Sequence, residues 1–277
     1  MRRRVVILNS NTETDAESEK ILAHADGAIG WITVNQPAKR NAISLAMAAR
    51  ATEVIKQFSE DDSVRVIILT GSGDTAFVSG ADISEFEDKR NDAAAAADYH
   101  MKSSRMYRAV REIEKPTIAM IHGYCMGGGV ALAASCDLRF CSEDAVFAIP
   151  AARLGLGYRR YMVELVLNLI GPAYTKEMLF TGNQFTGVEA ASMGLVNRVV
   201  LKSELESFVG QIATTIAGNA PLSVKASKVI IEELLKDSGA RDLERCERLV
   251  QECADSKDYA SGRQAFMKKS RPVFTGG

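Results

Sequence analysis

The sequence is poor in the residues that build covalent or metal-held frameworks, with five cysteines, three histidines and one tryptophan in 277 residues. Cys125, Cys136, Cys141, Cys246 and Cys253 are an odd set without a Cys-x-x-Cys pair. His24, His100 and His122 show no ligand spacing. Neither a disulfide scaffold nor a metal site is therefore expected, and the thiols read as buried and reduced, as in a cytoplasmic protein. Long hydrophobic runs are absent too. Arg2, Arg3 and Arg4 precede only Val5 to Leu8, which is too short for a signal peptide or a membrane span, so no membrane partner is expected. Nor does one sign of charge dominate: the formal net charge is -1, which leaves no basic field for a nucleic-acid partner.

What is present is an ordinary globular composition, 47% hydrophobic and 25% charged, on a chain long enough to bury a large core. Residues 1–19 read as a flexible arm, polar and acidic from Asn9 to Glu19. Lys20 to His24 and Ile29 to Asn35 flank Asp26-Gly27, a hairpin signal. Met47, Ala51, Val54, Ile55 and Phe58 follow helical spacing, and Val64 to Leu69 is an apolar run short enough for a buried strand. Thr117 to Ile121 predicts a strand, Gly128 to Ser135 a helix and Leu138 to Cys141 a strand. Repeated strand-strand-helix units imply an α/β fold of stacked sheets with helices outside. Asn91 to Asp98 is alanine-rich, and reads either as a flap over a site or as an exposed helix start. Beyond Gly155 helices dominate. Only Leu195 to Val200 looks extended, and Ser223 to Leu235 carries an apolar helical face. The division expected is an arm at 1–19, a core at 20–200 and a helical subdomain at 201–277.

Two stretches carry chemical information. Ala76 to Ile83 follows the buried strand with small residues that let a ligand approach the main chain. Ile121 to Leu132 runs three glycines into a helix start, whose free N–H groups suit a developing anion. Alone, a tight turn or close helix packing explains either one. Together, about fifty residues apart and each behind a predicted strand, they resemble the oxyanion-hole segments of the enoyl-CoA hydratase/isomerase family, the crotonases. The likeness extends through Asn35-Gln36-Pro37, Lys39 to Ala42, Ala151 to Gly155, Gly194-Leu195-Val196 and Ala265-Phe266. It implies the crotonase fold with a C-terminal trimerisation subdomain, and an acyl-CoA substrate whose coenzyme A is part of the substrate, with no separate cofactor. It also implies a homotrimer or a dimer of trimers. By the same resemblance, Ala81 and Gly128 offer the N–H groups of the oxyanion hole. Lys39, Arg40, Ser79, Asp82 and Ile83 lie around the coenzyme A moiety, and Phe266 and Lys269 complete its pocket, sometimes from a neighbouring subunit.

The pattern breaks at the acid–base groups. Hydration across a double bond needs water activated and a proton delivered, work for two carboxylates. The family's two glutamate positions are Ala131 and Ala151 here. Glu85 and Tyr158 are substitute candidates, against the plainer readings of a solvated carboxylate and a polar helix start. Arg159 or Arg160 is a candidate for binding an anionic acyl group. His122 and Tyr124 read as supporting residues, and Glu164 as either pocket-facing or solvated. Three functions stay open: enoyl-CoA hydration or isomerisation with a substituted acid–base group, decarboxylation or thioester hydrolysis of an acyl-CoA, and acyl-CoA binding without catalysis.

Overall fold

The computed structural model describes residues 4–5, 19–85 and 93–277, with 4, 5 and 93–96 described by their backbone. Most of the expected arm, residues 6–18, thus lies outside the described residues, as do Asn91 and Asp92 of the alanine-rich stretch. Arg4–Val5 form a short strand, β1, antiparallel to β2 (Ile21–Asp26), which turns at Asp26-Gly27 into β3 (Ile29–Val34). Gly27 sits in the left-handed region, φ 59°, as the hairpin signal requires. Helix α1 (Leu45–Glu60) starts at Ser44, whose hydroxyl accepts from Met47 N at 3.2 Å. It buries the expected face of Met47, Ala51, Val54, Ile55 and Phe58.

Strand β4 (Val66–Gly71) is buried along its whole length, and starts and ends two residues later than its sequence suggests. Its continuous apolar run follows from burial on both faces. Ile67 and Leu69 enter the main core with Phe77, Ile121 and Phe147. Val66 and Ile68 face the other way, onto Leu205, Val209 and Ala213.

The chain then alternates between two sheets. The larger continues through β6 (Thr117–Ile121), β8 (Leu138–Ser142) and β11 (Arg198–Val200), in the order β1-β2-β3-β4-β6-β8-β11. The smaller holds β5 (Ala76–Val78), β7 (Tyr124–Met126), β9 (Val146–Ala148) and β10 (Phe185–Thr186), in the order β10-β9-β7-β5. Each long strand β4, β6 and β8 is followed by a short one, and each short one by a helix or helical turn. The helices are α2 (Ala93–Glu112), α3 (Gly128–Ser135) and α4 (Arg160–Thr181), the last broken at Gly171 before Pro172. This is the expected α/β repeat of two stacked sheets with helices outside.

After α5 (Gly187–Met193), helix α6 (Leu205–Ala217) covers the outer face of the large sheet, and α7 (Pro221–Leu234), α8 (Leu243–Asp255) and α9 (Lys257–Met267) form the C-terminal helical region. Of the stretch Leu195 to Val200, only the last three residues are strand; Leu195 and Val196 are buried behind the helix end at Gly194. All five cysteines are free, and burial pushes the Cys136 and Cys141 thiols up to about 12. No helix among the described residues is long and apolar enough to cross a membrane.

Candidate functional site

Two loop exits come together because their strands are neighbours. β5 and β7 pair in parallel, with Ala76 beside Tyr124 and Val78 beside Cys125, so both leave the small sheet at the same end. β5 leads into Gly80, whose φ of 114° only glycine adopts readily. The Gly80 carbonyl accepts from Ile43 N and Asp82 N donates to Ile43 O, both at 2.9 Å, which leaves the amide of Ala81 between them without a backbone partner among the described residues. β7 leads into Gly127 and then α3. Gly128 is the first residue of that helix and has no carbonyl one turn behind to bond.

A methyl group placed on Gly128 would lie 3.6 Å from Ala81 N, and one on Gly80 3.6 Å from Gly128 N. The two amides are therefore adjacent, and both residues line one cavity of about 200 Å3. Gly129 explains the third glycine: a Cβ there would stand 2.1 Å from Val78 O, so α3 rests directly on β5. Two N–H groups side by side on one cavity wall suit an oxygen on which negative charge develops.

The rest of the cavity is mostly apolar, with Ile43, Met106, Met126, Ile149 and Met162 in its wall. Its polar side chains include Tyr99, His100, Ser103 and Tyr107 from α2, and Tyr158 and Arg159 before α4. Among the described residues no aspartate or glutamate lines it. Ala151 lines the cavity and is 9% exposed, whereas Ala131 is fully buried in α3 and is not in its lining. Neither can move a proton.

Tyr158 is committed to the main chain. Its hydroxyl donates to Gly127 O at 2.9 Å, an oxygen that also accepts from Ala131 N at 3.3 Å. Burial, reinforced by Tyr107 and Cys125, pushes its phenol well above the ordinary value, so it stays neutral and is a weak acid. Gly127 C=O and Gly128 N–H belong to one peptide group, and a hydrogen bond accepted at the oxygen polarises the N–H.

Glu85 is engaged elsewhere. Its carboxylate accepts from Leu45 N at 3.0 Å and Tyr99 OH at 3.4 Å, so it caps α1, and it is not in the cavity lining. Glu164 pairs with Arg160 at 3.8 Å along α4. His122 directly follows β6, is buried and lines a different cavity, where burial and Lys202 hold its pKa down.

The structure brings Lys39, Arg40, Ser79, Asp82 and Ile83 together. The buried Asn41 amide donates to Ser72 O and Ala76 O, fastening their loop to the β4–β5 turn. Ser79 N donates to Arg40 O and its hydroxyl to Lys39 O. Lys39 Nζ meets Asp82 Oδ2 at 2.6 Å. Burial alone would push the Asp82 carboxyl up, but hydrogen bonds from Lys39 and Ser84 outweigh it and hold the pKa below its usual value. Arg40 lies over the Tyr124 ring, 5.2 Å from its centroid. Ser79 and the exposed Ile83 line the cavity. Phe266, 84% exposed, and Lys269 lie at the end of α9 and do not line it.

Tyr99, Ser103 and Tyr107 were not singled out by sequence. Their spacing of four puts them on one face of α2, but a Tyr-Ser-Tyr face carries no motif.

The enoyl-CoA hydratase/isomerase family model matches residues 24–277. The short-chain-enoyl-CoA hydratase of Clostridium acetobutylicum is 31% identical over 255 residues, 92% of this chain and 97% of that protein. The peroxisomal Delta(3,5)-Delta(2,4)-dienoyl-CoA isomerase of Arabidopsis thaliana is 31% identical over 92% of this chain and 96% of its own. A solved structure described as an enoyl-CoA hydratase/carnithine racemase from Magnetospirillum magneticum superposes with a TM-score of 0.88 at 35% identity, covering 93% of this chain and 96% of that one. With adjacent amides at the ends of two paired strands and a likeness over nearly its whole length, this chain belongs to the enoyl-CoA hydratase/isomerase family.

Proposed function

We propose that the chain binds an acyl-CoA thioester with its carbonyl oxygen between the N–H groups of Ala81 and Gly128, and lowers the barrier to the enolate formed from it. What carries this reading is the pair of adjacent amides, without backbone partners among the described residues, on one apolar cavity. Such donors act where charge develops in the transition state, and losing one typically costs about a hundred- to a thousandfold in rate. Lys39 and Arg40 take the coenzyme A phosphates, with Ser79 and Ile83 along the way. Phe266 and Lys269 reach a neighbouring subunit's pocket in a trimer or a dimer of trimers. Coenzyme A enters as part of the substrate and no separate cofactor is needed.

The nominal reaction is hydration or isomerisation of an enoyl-CoA, with the proton handled by groups other than the family's two glutamates. One observation favours a second reading: the described cavity lining holds no carboxylate. Decarboxylation of a malonyl-type thioester needs no base, because loss of carbon dioxide leaves the electron pair on the α-carbon. The thioester oxygen takes up the charge and a proton then restores the C–H bond. Three assays on the purified protein separate the outcomes: hydration of crotonyl-CoA, solvent-deuterium exchange at the α-carbon, and carbon dioxide release from malonyl-CoA. Coenzyme A affinity without any turnover would leave a non-catalytic binder, and no affinity for any thioester would refute the reading.

A further inference from the structure

A second cavity opens off the first, and the two share His100, Ser103, Tyr107, Arg159 and Met162 in their walls. Arg105 and Arg108 of α2 and Arg159 and Arg160 at the start of α4 line it. Among the described residues no aspartate or glutamate lines it, and Arg105, Arg108 and Arg159 have no ion-pair partner. Arg160 reaches Glu164 only at 3.8 Å. Arg108 lies over Tyr161, 5.4 Å from the ring centroid, and the buried hydroxyl of that tyrosine has no hydrogen-bond partner among the described residues.

Single surface arginines are ordinary, solvated and of little consequence. Here four converge on one concavity continuous with an apolar chamber. With Glu164, at 3.8 Å from Arg160, the one acid paired to them among the described residues, they repel one another, and a bound anion relieves that repulsion. A guanidinium fork matches a carboxylate in shape and hydrogen-bonding pattern. An acyl chain lying in the apolar chamber would deliver its far end here, so a terminal carboxylate would escape burial without a partner.

We propose that this arginine-lined mouth is the acyl-terminus subsite, and that it selects CoA thioesters whose acyl chain ends in a carboxylate. The proposal rests on the thioester reading of the adjoining chamber. It concerns the remote end of the acyl group, not a carboxylate lost at the α-carbon.

The test compares enoyl-CoA thioesters ending in a carboxylate with their methyl esters at matched chain lengths, by kcat/KM and by calorimetric Kd. At one length or more the carboxylate is expected to be favoured by about tenfold or more, the worth of one charge-assisted hydrogen bond. The preference should shrink as salt is raised, because these arginines are exposed. Arg159→Met and Arg108→Met should each lower the carboxylate-to-ester ratio, and Arg159→Lys should restore part of it. Equal treatment of the two series at every length overturns the subsite, as does a preference that persists in the double Met variant. If neutral thioesters bind without any such discrimination, the subsite alone falls; if no thioester binds at all, the chamber's reading falls and takes the subsite with it.

Discussion

Tyr158→Phe separates two roles that the same tyrosine can play next to a thioester. Its hydroxyl donates to Gly127 O at 2.9 Å, on the peptide group whose N–H is that of Gly128. If the role is to polarise that peptide, the loss is a fraction of one oxyanion donor. Hydrogen bonds in chains strengthen one another by about 10–30%, and a donor of this kind is worth about 2.7–4 kcal/mol. The product is about 0.3–1.2 kcal/mol, or a roughly two- to eightfold fall in turnover. If Tyr158 were the acid that protonates carbon, its removal would cost about a hundredfold to ten-thousandfold. The assay is α-deuterium exchange of a bound acyl-CoA, read beside the red shift that a conjugated dienoyl-CoA undergoes when its carbonyl is polarised on binding. A small fall in rate with a smaller red shift is expected. A hundredfold loss would refute the polarising role, and an unaltered rate and red shift would disconnect the peptide of Gly127 and Gly128 from the thioester oxygen.

The remaining predictions test the supports of the site. Gly129→Ala puts a methyl 2.1 Å from Val78 O with backbone on both sides, so α3 must lift from β5. Overpacking of this kind costs about 1–3 kcal/mol, and the urea midpoint and acyl-CoA affinity should fall together; an unshifted midpoint would contradict it. Asp82 titrates below its usual 3.8 in the folded chain, so its contribution to stability is complete above that pH and is lost as pH falls through the lower, folded value. Lys39→Met removes a lowering partner and leaves burial, so the carboxyl's NMR titration and the acid-unfolding midpoint should both move to higher pH. Glu85→Ala removes a cap from α1 and should cost about 0.5–2 kcal/mol of stability. Its effect on exchange rate should be far below the hundredfold that marks an acid–base group, and a loss of that size would return Glu85 to the reaction. Ile231, Leu234 and Leu235 are exposed in the single chain, and sedimentation equilibrium should give three or six times its mass. A monomer would count against the assembly.

What the sequence made legible are the features whose signal is local. The Asp26-Gly27 hairpin, the Ser44-capped helix and the strand Thr117–Ile121 each carry their turn residue, cap or apolar run within a few positions. The small sheet was harder to read because β5, β7 and β9 are three residues long, too short for alternation to register. The capping contact of Glu85 was not legible for a different reason: its partner, Leu45 N, lies forty residues away, and no local pattern announces a helix capped from elsewhere. Tyr107 was missed because its place beside Gly128 depends on how α2 packs against α3. The two amides themselves have no side-chain signature, only the small residues that allow the backbone to expose them. Main-chain donors held by strand pairing and by the Gly129 contact survive any change of side chain that preserves the backbone. On the proposed reading, alanine at 131 and 151 takes away the family's acid–base pair while leaving the adjacent amides of Ala81 and Gly128 in place, which makes the lining side chains, and not the amides, the place to look for what distinguishes this chain's chemistry.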